Sequence, residues 1–326
     1  MTVAVVILNW NGKDLLKQFL PSVTQFSTEA NIYIADNASS DDSINFLRNN
    51  YPEVKIIQNK ENGGYAKGYN DALKHLSEDI LILLNSDIEV TKDWLKPILE
   101  VFSNDSKTAA VQPKILDFKN KSYFEYAGAA GGFIDKFGYP FCRGRIFETI
   151  EEDKGQYNDI IDIFWASGAC FLTQKNVFNK IGGFDETLFA HMEEIDYHWK
   201  CNLMGYSIWV EPTSLVYHYG GYTLKSDSAY KTFLNHRNSL ILLLSIGSSV
   251  DIYLSGLFYF GENQFMLQSY YDVTIFFRKI ILRAIIIYIL ILPIFSLWLP
   301  IRQLYFNYNF SLKNITFLWA SGIFNF

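Results

Sequence analysis

Four short apolar runs constrain this chain most: "VAVVIL" (3–8), "IYIAD" (32–36), "VKIIQ" (54–58) and "ILILL" (80–84). Each is short, rich in Val and Ile, and largely without the polar alternation of a half-exposed strand, so each reads as a strand buried on both faces. Between them the apolar residues recur at helical spacing: Leu15, Leu16, Phe19 and Leu20; then Ile44, Phe46 and Leu47; then Tyr69, Ala72, Leu73 and Leu76. Strand alternating with helix predicts an α/β fold, a mostly parallel central sheet with helices on both faces.

In such a sheet, ligands gather beyond the carboxyl ends of the strands. The first run ends in Asn9, Trp10, Asn11 and Gly12, the second in Asp36, Asn37 and Ser39, and the fourth in Asn85, Ser86 and Asp87. The third is followed by "NKENGGYAKGYN". An acid that closes an apolar strand makes sense if it projects into a shared crevice. There Asp36 could accept hydrogen bonds from a base or ribose, and Trp10 could stack on a flat ring. Gly63 and Gly64 would admit an anion close to the backbone, and Lys67 adds a positive charge one turn into the next helix. Asp87 is a hard oxygen ligand suited to Mg2+ or Mn2+, whose charge would offset a diphosphate. Together these describe a nucleotide-diphosphate site. Singly they are weak: Asn-Gly-Gly is usually a turn, "GGYAKG" is neither the dinucleotide fingerprint nor the P-loop, and a lone Trp10 is more often core.

Charge and cysteine exclude other classes. A net charge of −6 argues against a nucleic-acid binder. The balance is uneven: from Tyr217 onward eight Lys/Arg stand against four Asp/Glu, giving +4 and leaving −10 for residues 1–216. Cys142, Cys170 and Cys201 are far apart and include no C-x-x-C pair, so three reduced, buried thiols are expected. The opening "MTVAVVILNWNG" reads as a strand, not a signal peptide, which places the chain in a reducing cytoplasm.

Six segments in order, "VVILNWNG", "IADNASSDDS", "ENGGYAKGYNDAL", "LLNSDIEV", "GACFLTQKNVFNKIGGFDETLFAHMEEIDYHWKCNLMGY" and "VYHYGG", resemble glycosyltransferase family 2, notably its rhamnosyltransferase-like branch, over about residues 3–245. The resemblance implies the GT-A fold and transfer of a sugar from a nucleotide diphosphate with inversion at the anomeric carbon. It implies that Asp36 recognises the base, that Asn9, Trp10, Asn62, Gly63, Lys67, Asn85 and Ser86 line the donor site, and that a divalent cation, Mn2+ or Mg2+, is the cofactor. The sequence departs from the family pattern twice. Asn85-Ser86-Asp87 stands in place of the DxD motif, so Asp87 alone offers a charged ligand, and His218 stands where the family often completes the metal site. In "AHMEEIDYHWK" the usual Glu-Asp pair is Glu193-Glu194, so Glu194 aligns with the general base and Asp196 with the acid that follows. On the residues alone, His218 is an ordinary strand-end histidine, and an acidic first turn is favoured by the helix dipole whatever the function. Helical geometry puts Glu193 and Asp196 on one face and Glu194 with His198 on another.

The stretch 114–161 breaks the strand-helix rhythm and is expected to form loops and irregular strands over the acceptor side. "FWASGACFL" (164–172) is expected to resume as a strand. "NHRNSLILLL" (235–244) keeps the family's Arg-Asn ahead of an apolar helix. Residues 284–301 carry no charge and are flanked by Arg278, Lys279, Arg283 and Arg302, which predicts interfacial or re-entrant membrane seating. The expected division is a catalytic domain at 1–235 and a helical, membrane-associating region at 236–326. The expected partners are a nucleotide-diphospho-sugar donor, a lipid-linked saccharide acceptor and the cytoplasmic membrane face, with the enzyme serving surface-polysaccharide assembly. Two rivals share the nucleotide site: a sugar-1-phosphate nucleotidyltransferase, whose glycine-rich, arginine-bearing opening is missing after strand one, and a non-catalytic nucleotide-sugar sensor, which needs no base.

Overall fold

A computed structural model describes residues 1–135, 138–146, 149–220 and 229–243. The four apolar runs form β1 (Val3–Asn9), β2 (Asn31–Asp36), β3 (Lys55–Gln58) and β4 (Ile80–Asn85), with α1 (Lys13–Phe26), α2 (Ser43–Asn50) and α3 (Gly64–Leu73) between them. β1 pairs in parallel with β2 and β4, and β2 with β3. There follow β5 (Ile88–Val90), α4 (Leu95–Asn104) and β6 (Thr108–Asp117). A separate antiparallel sheet is built from β7 (Gly132–Ile134), β8 (Pro140–Cys142), β9 (Arg145–Ile146) and β10 (Thr149–Ile150). The chain then returns through β11 (Ile161–Asp162), β12 (Cys170–Gln174), α5 (Lys175–Ile181), α6 (Glu193–Leu203), β13 (Ser207–His218) and α7 (Ala229–Leu242). The main sheet runs β11-β13-β6-β12-β4-β1-β2-β3, with β5 on β13.

Side chains alternate across each strand, and both faces are covered. Val5 and Ile7 of β1 and Ile82 and Leu84 of β4 enter one core with Leu16 and Leu20 of α1 and Ile98 of α4. Ala4, Val6, Leu81 and Leu83 enter the other with Tyr69 and Ala72 of α3, Phe178 of α5 and Tyr197 of α6. This double burial explains why β1 and β4 read as unbroken apolar runs, whereas β3, expected to be buried on both faces, is the edge strand of the sheet, with Lys55 and Gln58 exposed and Ile56 and Ile57 half-buried.

The direction of the strands gathers the site. β6 and β13 are parallel to each other, β12 is antiparallel to both β4 and β6, and β5 is antiparallel to β13. The carboxyl ends of β1, β2, β4 and β13 and the amino end of β12 therefore share one edge.

One expectation changes here. Strand structure in "FWASGACFL" begins only at Cys170. The residues ahead of it are held elsewhere: Trp165 bridges Gly132 of the second sheet and donates its indole N–H to the Phe133 carbonyl at 2.9 Å, and the Ser167 hydroxyl donates to Ala127 O in the loop ahead of that sheet. The compact unit reaches from Met1 to Leu243, and α7 runs across position 235. The uncharged stretch 284–301 lies outside the described residues. Among the described residues no helix is long and apolar enough to cross a membrane. The three cysteines are free and buried, and burial pushes the Cys170 and Cys201 thiols up, the latter to about 12.

Candidate active site

Asn9 and Asp36 are register partners at the ends of β1 and β2, and both are buried. The Asn9 carboxamide donates to Asp36 Oδ1 at 3.0 Å and to Ser39 Oγ at 3.2 Å, and the Ser39 N–H donates to Asp36 Oδ2 at 3.0 Å. Each Asp36 oxygen takes one bond from the chain and keeps acceptor capacity for a ligand. Asn9 Oδ1 is buried without a hydrogen-bond partner. A Cβ at Gly12 would lie 2.5 Å from that oxygen, so glycine is needed there. Trp10, at the same edge, is 46% exposed and belongs to no core.

The glycine-rich loop is tied down by asparagines. Asn62 Oδ1 accepts the Gly64 N–H at 3.0 Å, Asn37 Nδ2 donates to Gly64 O at 2.8 Å, and Asn59 Nδ2 donates to Asn37 Oδ1 at 2.7 Å. Gly64 has φ +74°, and a Cβ there would come within 2.3 Å of the Phe189 carbonyl, so crowding at this glycine comes from the chain itself. Lys67 is not a free charge: it pairs with Asp71 on its own helix and lies 3.6 Å from Glu61.

At β4 the chain turns through Asn85 and Ser86, both half-buried, into Asp87, which is buried. Because β13 pairs with β5, His218 arrives beside it. His218 Nε2 lies 3.2 Å from Asp87 Oδ1, and Asp87 Oδ2 accepts the Gly220 N–H at 3.2 Å. On the other side of the ring, Nδ1 lies 3.1 Å from Oε1 of the buried Glu125, an ion-pair contact without hydrogen-bond alignment. Burial opposes charge on this imidazole, but Glu125 and Asp87 outweigh it and hold its pKa up at about 10. For Asp87 burial acts upward, yet the His218 charge wins and keeps the carboxyl below its usual range.

The spacing of this pair fits a divalent cation, which would take the imidazole lone pair in place of its proton. Two neighbouring ligands on an octahedral ion with bonds of about 2.1 Å stand roughly 3 Å apart, close to the observed Nε2–Oδ1 separation. A carboxylate with an imidazole favours Mn2+ over Mg2+. Among the described residues no group of three or more His, Cys, Asp or Glu could hold a metal, so Asp87 and His218 would be an incomplete set that the donor and water fill.

The acids of α6 are the other half of the site. Glu193 and Asp196 are almost fully buried, and Glu194 is half-buried. Asp196 pairs with Lys200 one turn on. Glu194 accepts the Gly168 N–H from the loop ahead of β12, and the Gly168 carbonyl accepts the Tyr65 hydroxyl of α3 at 2.7 Å. Burial, then the charge of Glu194, pushes Glu193 well above the carboxylate range, and burial also raises Glu194 against the N–H groups that it accepts. Glu193 Oε2, Glu194 Oε2 and Asp196 Oδ1 are buried without hydrogen-bond partners. Buried carboxyl oxygens left without a partner mark a site kept for a ligand or a proton.

The sequence model of glycosyl transferase family 2 matches residues 4–182, more than half of the chain. This chain belongs to that family. An N-acetylglucosaminyl-diphospho-decaprenol L-rhamnosyltransferase of Mycobacterium tuberculosis is 25% identical over 256 residues, covering 73% of this chain and 83% of the relative. Among solved structures, a GalNAc-transferase with UDP, GalNAc and Mn2+ is 18% identical with a TM-score of 0.57, covering 75% of this chain and 48% of that one. A mannosyltransferase of Pyrobaculum calidifontis with GDP-Man and Mn2+ is 15% identical with a TM-score of 0.52, covering 76% of this chain and 64% of that one. The fold of this family 2 chain is therefore GT-A.

Several contacts of the candidate site went unseen in the sequence. Tyr65 and Gly168 join the donor helix to Glu194, and Glu125 backs His218. Asn11, at φ 50°, takes the Ser40 N–H at 2.7 Å and the Asp41 N–H at 3.2 Å. For Asn11 a signal existed, since an Asn-Gly after a strand favours a left-handed turn. For Glu125 and Gly168 none did, because their partners come from distant parts of the chain.

Proposed function

We propose that this family 2 glycosyltransferase moves a sugar from a UDP- or dTDP-linked donor to a lipid-linked saccharide at a cytoplasmic membrane face, with inversion and with the help of a divalent cation. The supporting observation is the shared sheet edge: Asn9 and Asp36 on one side, Asp87 with His218 and the α6 acids on the other. The acceptor class follows from the mycobacterial relative, whose substrate is a diphospho-decaprenol saccharide.

In this reading Asp36, held by Asn9 and Ser39, receives the base, and Trp10 offers a face for stacking. Asp87 and His218 would hold the cation, which supplies charge to offset the departing diphosphate. Glu194 is the general base. It is the least buried of the three acids, whereas Asp196 is engaged by Lys200, and burial, with the charge of Glu194 beside it, pushes the Glu193 carboxyl well above its ordinary range. A carboxylate with a raised pKa takes a hydroxyl proton more readily than an ordinary one, and direct displacement at the anomeric carbon inverts it.

The test is to incubate the full-length protein in membranes with radiolabelled UDP- and dTDP-sugars, Mn2+ and polyprenyl-diphospho-N-acetylglucosamine, and to follow label into the lipid fraction. Transfer with inversion supports the reading. Release of inorganic pyrophosphate from a sugar-1-phosphate and a nucleoside triphosphate would replace it with nucleotidyl transfer. Saturable binding without turnover would leave a sensor.

A further inference from the structure

The residues that lead into the acidic helix are backbone-strained. Of the four from Phe189 to Met192, three have positive φ without being glycine: Phe189 at 62°, His191 at 71° and Met192 at 73°. Phe189, with ψ −62°, adopts the rare strained form of a γ-turn. Such conformations persist only where the surroundings over-determine them, and they cluster at functional sites.

The surroundings here are α3 on one side and α7 on the other. From α3, the N–H groups of Tyr65 and Ala66 donate to Phe189 O at 2.7 and 3.4 Å. From α7, the amide of Asn238, a fully buried side chain, donates to the carbonyls of Leu188, Ala190 and His191 at 2.9, 2.8 and 2.7 Å. Arg237 Nε donates to Asn238 Oδ1 at 2.8 Å, which settles which end of that amide is the donor. The Arg237 guanidinium also reaches the Thr187 and Leu188 carbonyls at 3.1 and 2.9 Å. The Met192 carbonyl then accepts the Asp196 N–H at 2.9 Å, opening α6. One side chain thus grips three carbonyls of the short segment that delivers Glu193.

We propose that Asn238, oriented by Arg237, is a positioning residue for the reaction: it holds the strained 188–192 path that aims Glu193 and Glu194 at the reacting hydroxyl. The proposal rests on the reading of Glu194 as the base. It also explains the Arg-Asn pair, which neither donor nor metal binding uses. Apolar packing of α7 does not need this amide, since Leu234, Ile241 and Leu242 supply its buried contacts.

The test uses the full-length protein with Asn238→Leu, which keeps the volume and loses the donor, Asn238→Gln, which keeps the donor, and Arg237→Ala. Ser239→Ala, whose hydroxyl bonds only within its own helix, is the neighbouring control. Three quantities are read: hydrogen exchange of the 189–193 amides, binding of UDP and dTDP, and kcat and KM for the nucleotide sugar giving the highest turnover in a panel of UDP- and dTDP-sugars. An error of about 1 Å in the position of a reacting group costs on the order of 100-fold in rate, so Asn238→Leu should lose about that in kcat with KM and nucleotide binding nearly unchanged. Exchange at 189–193 should accelerate at least about tenfold, as expected when a local opening is eased. Asn238→Gln should recover part of the kcat, and Arg237→Ala should show a smaller loss of the same kind. Wild-type kcat in Asn238→Leu, or unchanged exchange at 189–193, overturns the proposal. Equal loss of kcat and nucleotide binding in Leu and Gln variants alike also overturns it, in favour of general packing. Glu193→Gln and Glu194→Gln, assayed in parallel, separate the two readings: normal turnover in both defeats the acid assignment, whereas loss there with normal turnover in Asn238→Leu defeats the Asn238 proposal alone.

Discussion

At the ends of β1 and β2 almost every polar group is answered by a near neighbour: Asn9, Asn11, Ser39 and Asp41 bond one another across two strand ends. At the start of α6 three carboxylates each keep an oxygen without a partner, behind a strained turn held by distant helices. The donor side is preformed, with Asn9 Oδ1 left open, and would receive a nucleotide at little reorganisation cost. The acid side crowds three carboxyl groups, each with one unanswered oxygen, into a buried place, a stability cost of the kind that clusters at functional sites.

That contrast breaks first at Glu194. Glu194→Gln should lose about two to four orders of magnitude in kcat, the range for loss of a general base, while UDP and dTDP binding measured by calorimetry stays at the wild-type level. If Asp196→Asn shows this pattern instead, the base lies one helix face away. Asp87→Asn should come next, with a loss on the order of 100-fold or more in Mn2+-dependent turnover, since a cation at the diphosphate is worth several kcal/mol. His218→Ala should weaken Mn2+ binding seen by electron paramagnetic resonance. An unchanged titration would make His218 a structural histidine.

The pH profile sharpens the same comparison. Glu193 and Glu194 are both raised from the ordinary 4.5, first by burial. A base must be ionised, so kcat/KM should fall as pH drops through the raised value, placing the acid limb above 4.5. The folded state also holds these protons more tightly than the unfolded chain, so stability should decline as pH rises from 4.5 through the raised values. Thermal melts of Glu193→Gln should lose part of that decline. An acid limb at or below the ordinary glutamate value would mean that the acids are not the base.

Effects on the donor side should be smaller and confined to binding. Asp36→Ala should cost about 1–3 kcal/mol of nucleotide affinity by removing the acceptor that receives the base, with kcat for bound donor little changed. Trp10→Ala should cost about 1 kcal/mol, the scale of a stacking contact, again in affinity alone. A large kcat effect from either would erase the division between a recognising side and a reacting side.

The sequence was sufficient where the cause is local. Unbroken apolar runs of five or six residues, separated by helical spacing, point to parallel strands with helices on both faces, and β1, β2, β3 and β4 pair in that way. A polar residue closing such a run must leave the core at the strand's end, so Asn9, Asp36 and Asp87 are legible as edge residues from the runs alone. Tertiary structure decided the rest, for reasons of distance and competition. Lys67 looked like a charge for a phosphate, but Asp71, one turn away, takes it. Gly64 looked like room for an anion, but the Phe189 carbonyl fills that room. The strand after residue 164 starts only at Cys170 because Trp165 bonds to the second sheet and Ser167 to the loop ahead of it. The grip of Gly168 on Glu194, of Glu125 on His218 and of Asn238 on the approach to Glu193 joins segments far apart in the chain. No periodicity or motif records such contacts; they exist only once the sheet order has brought those segments to one edge.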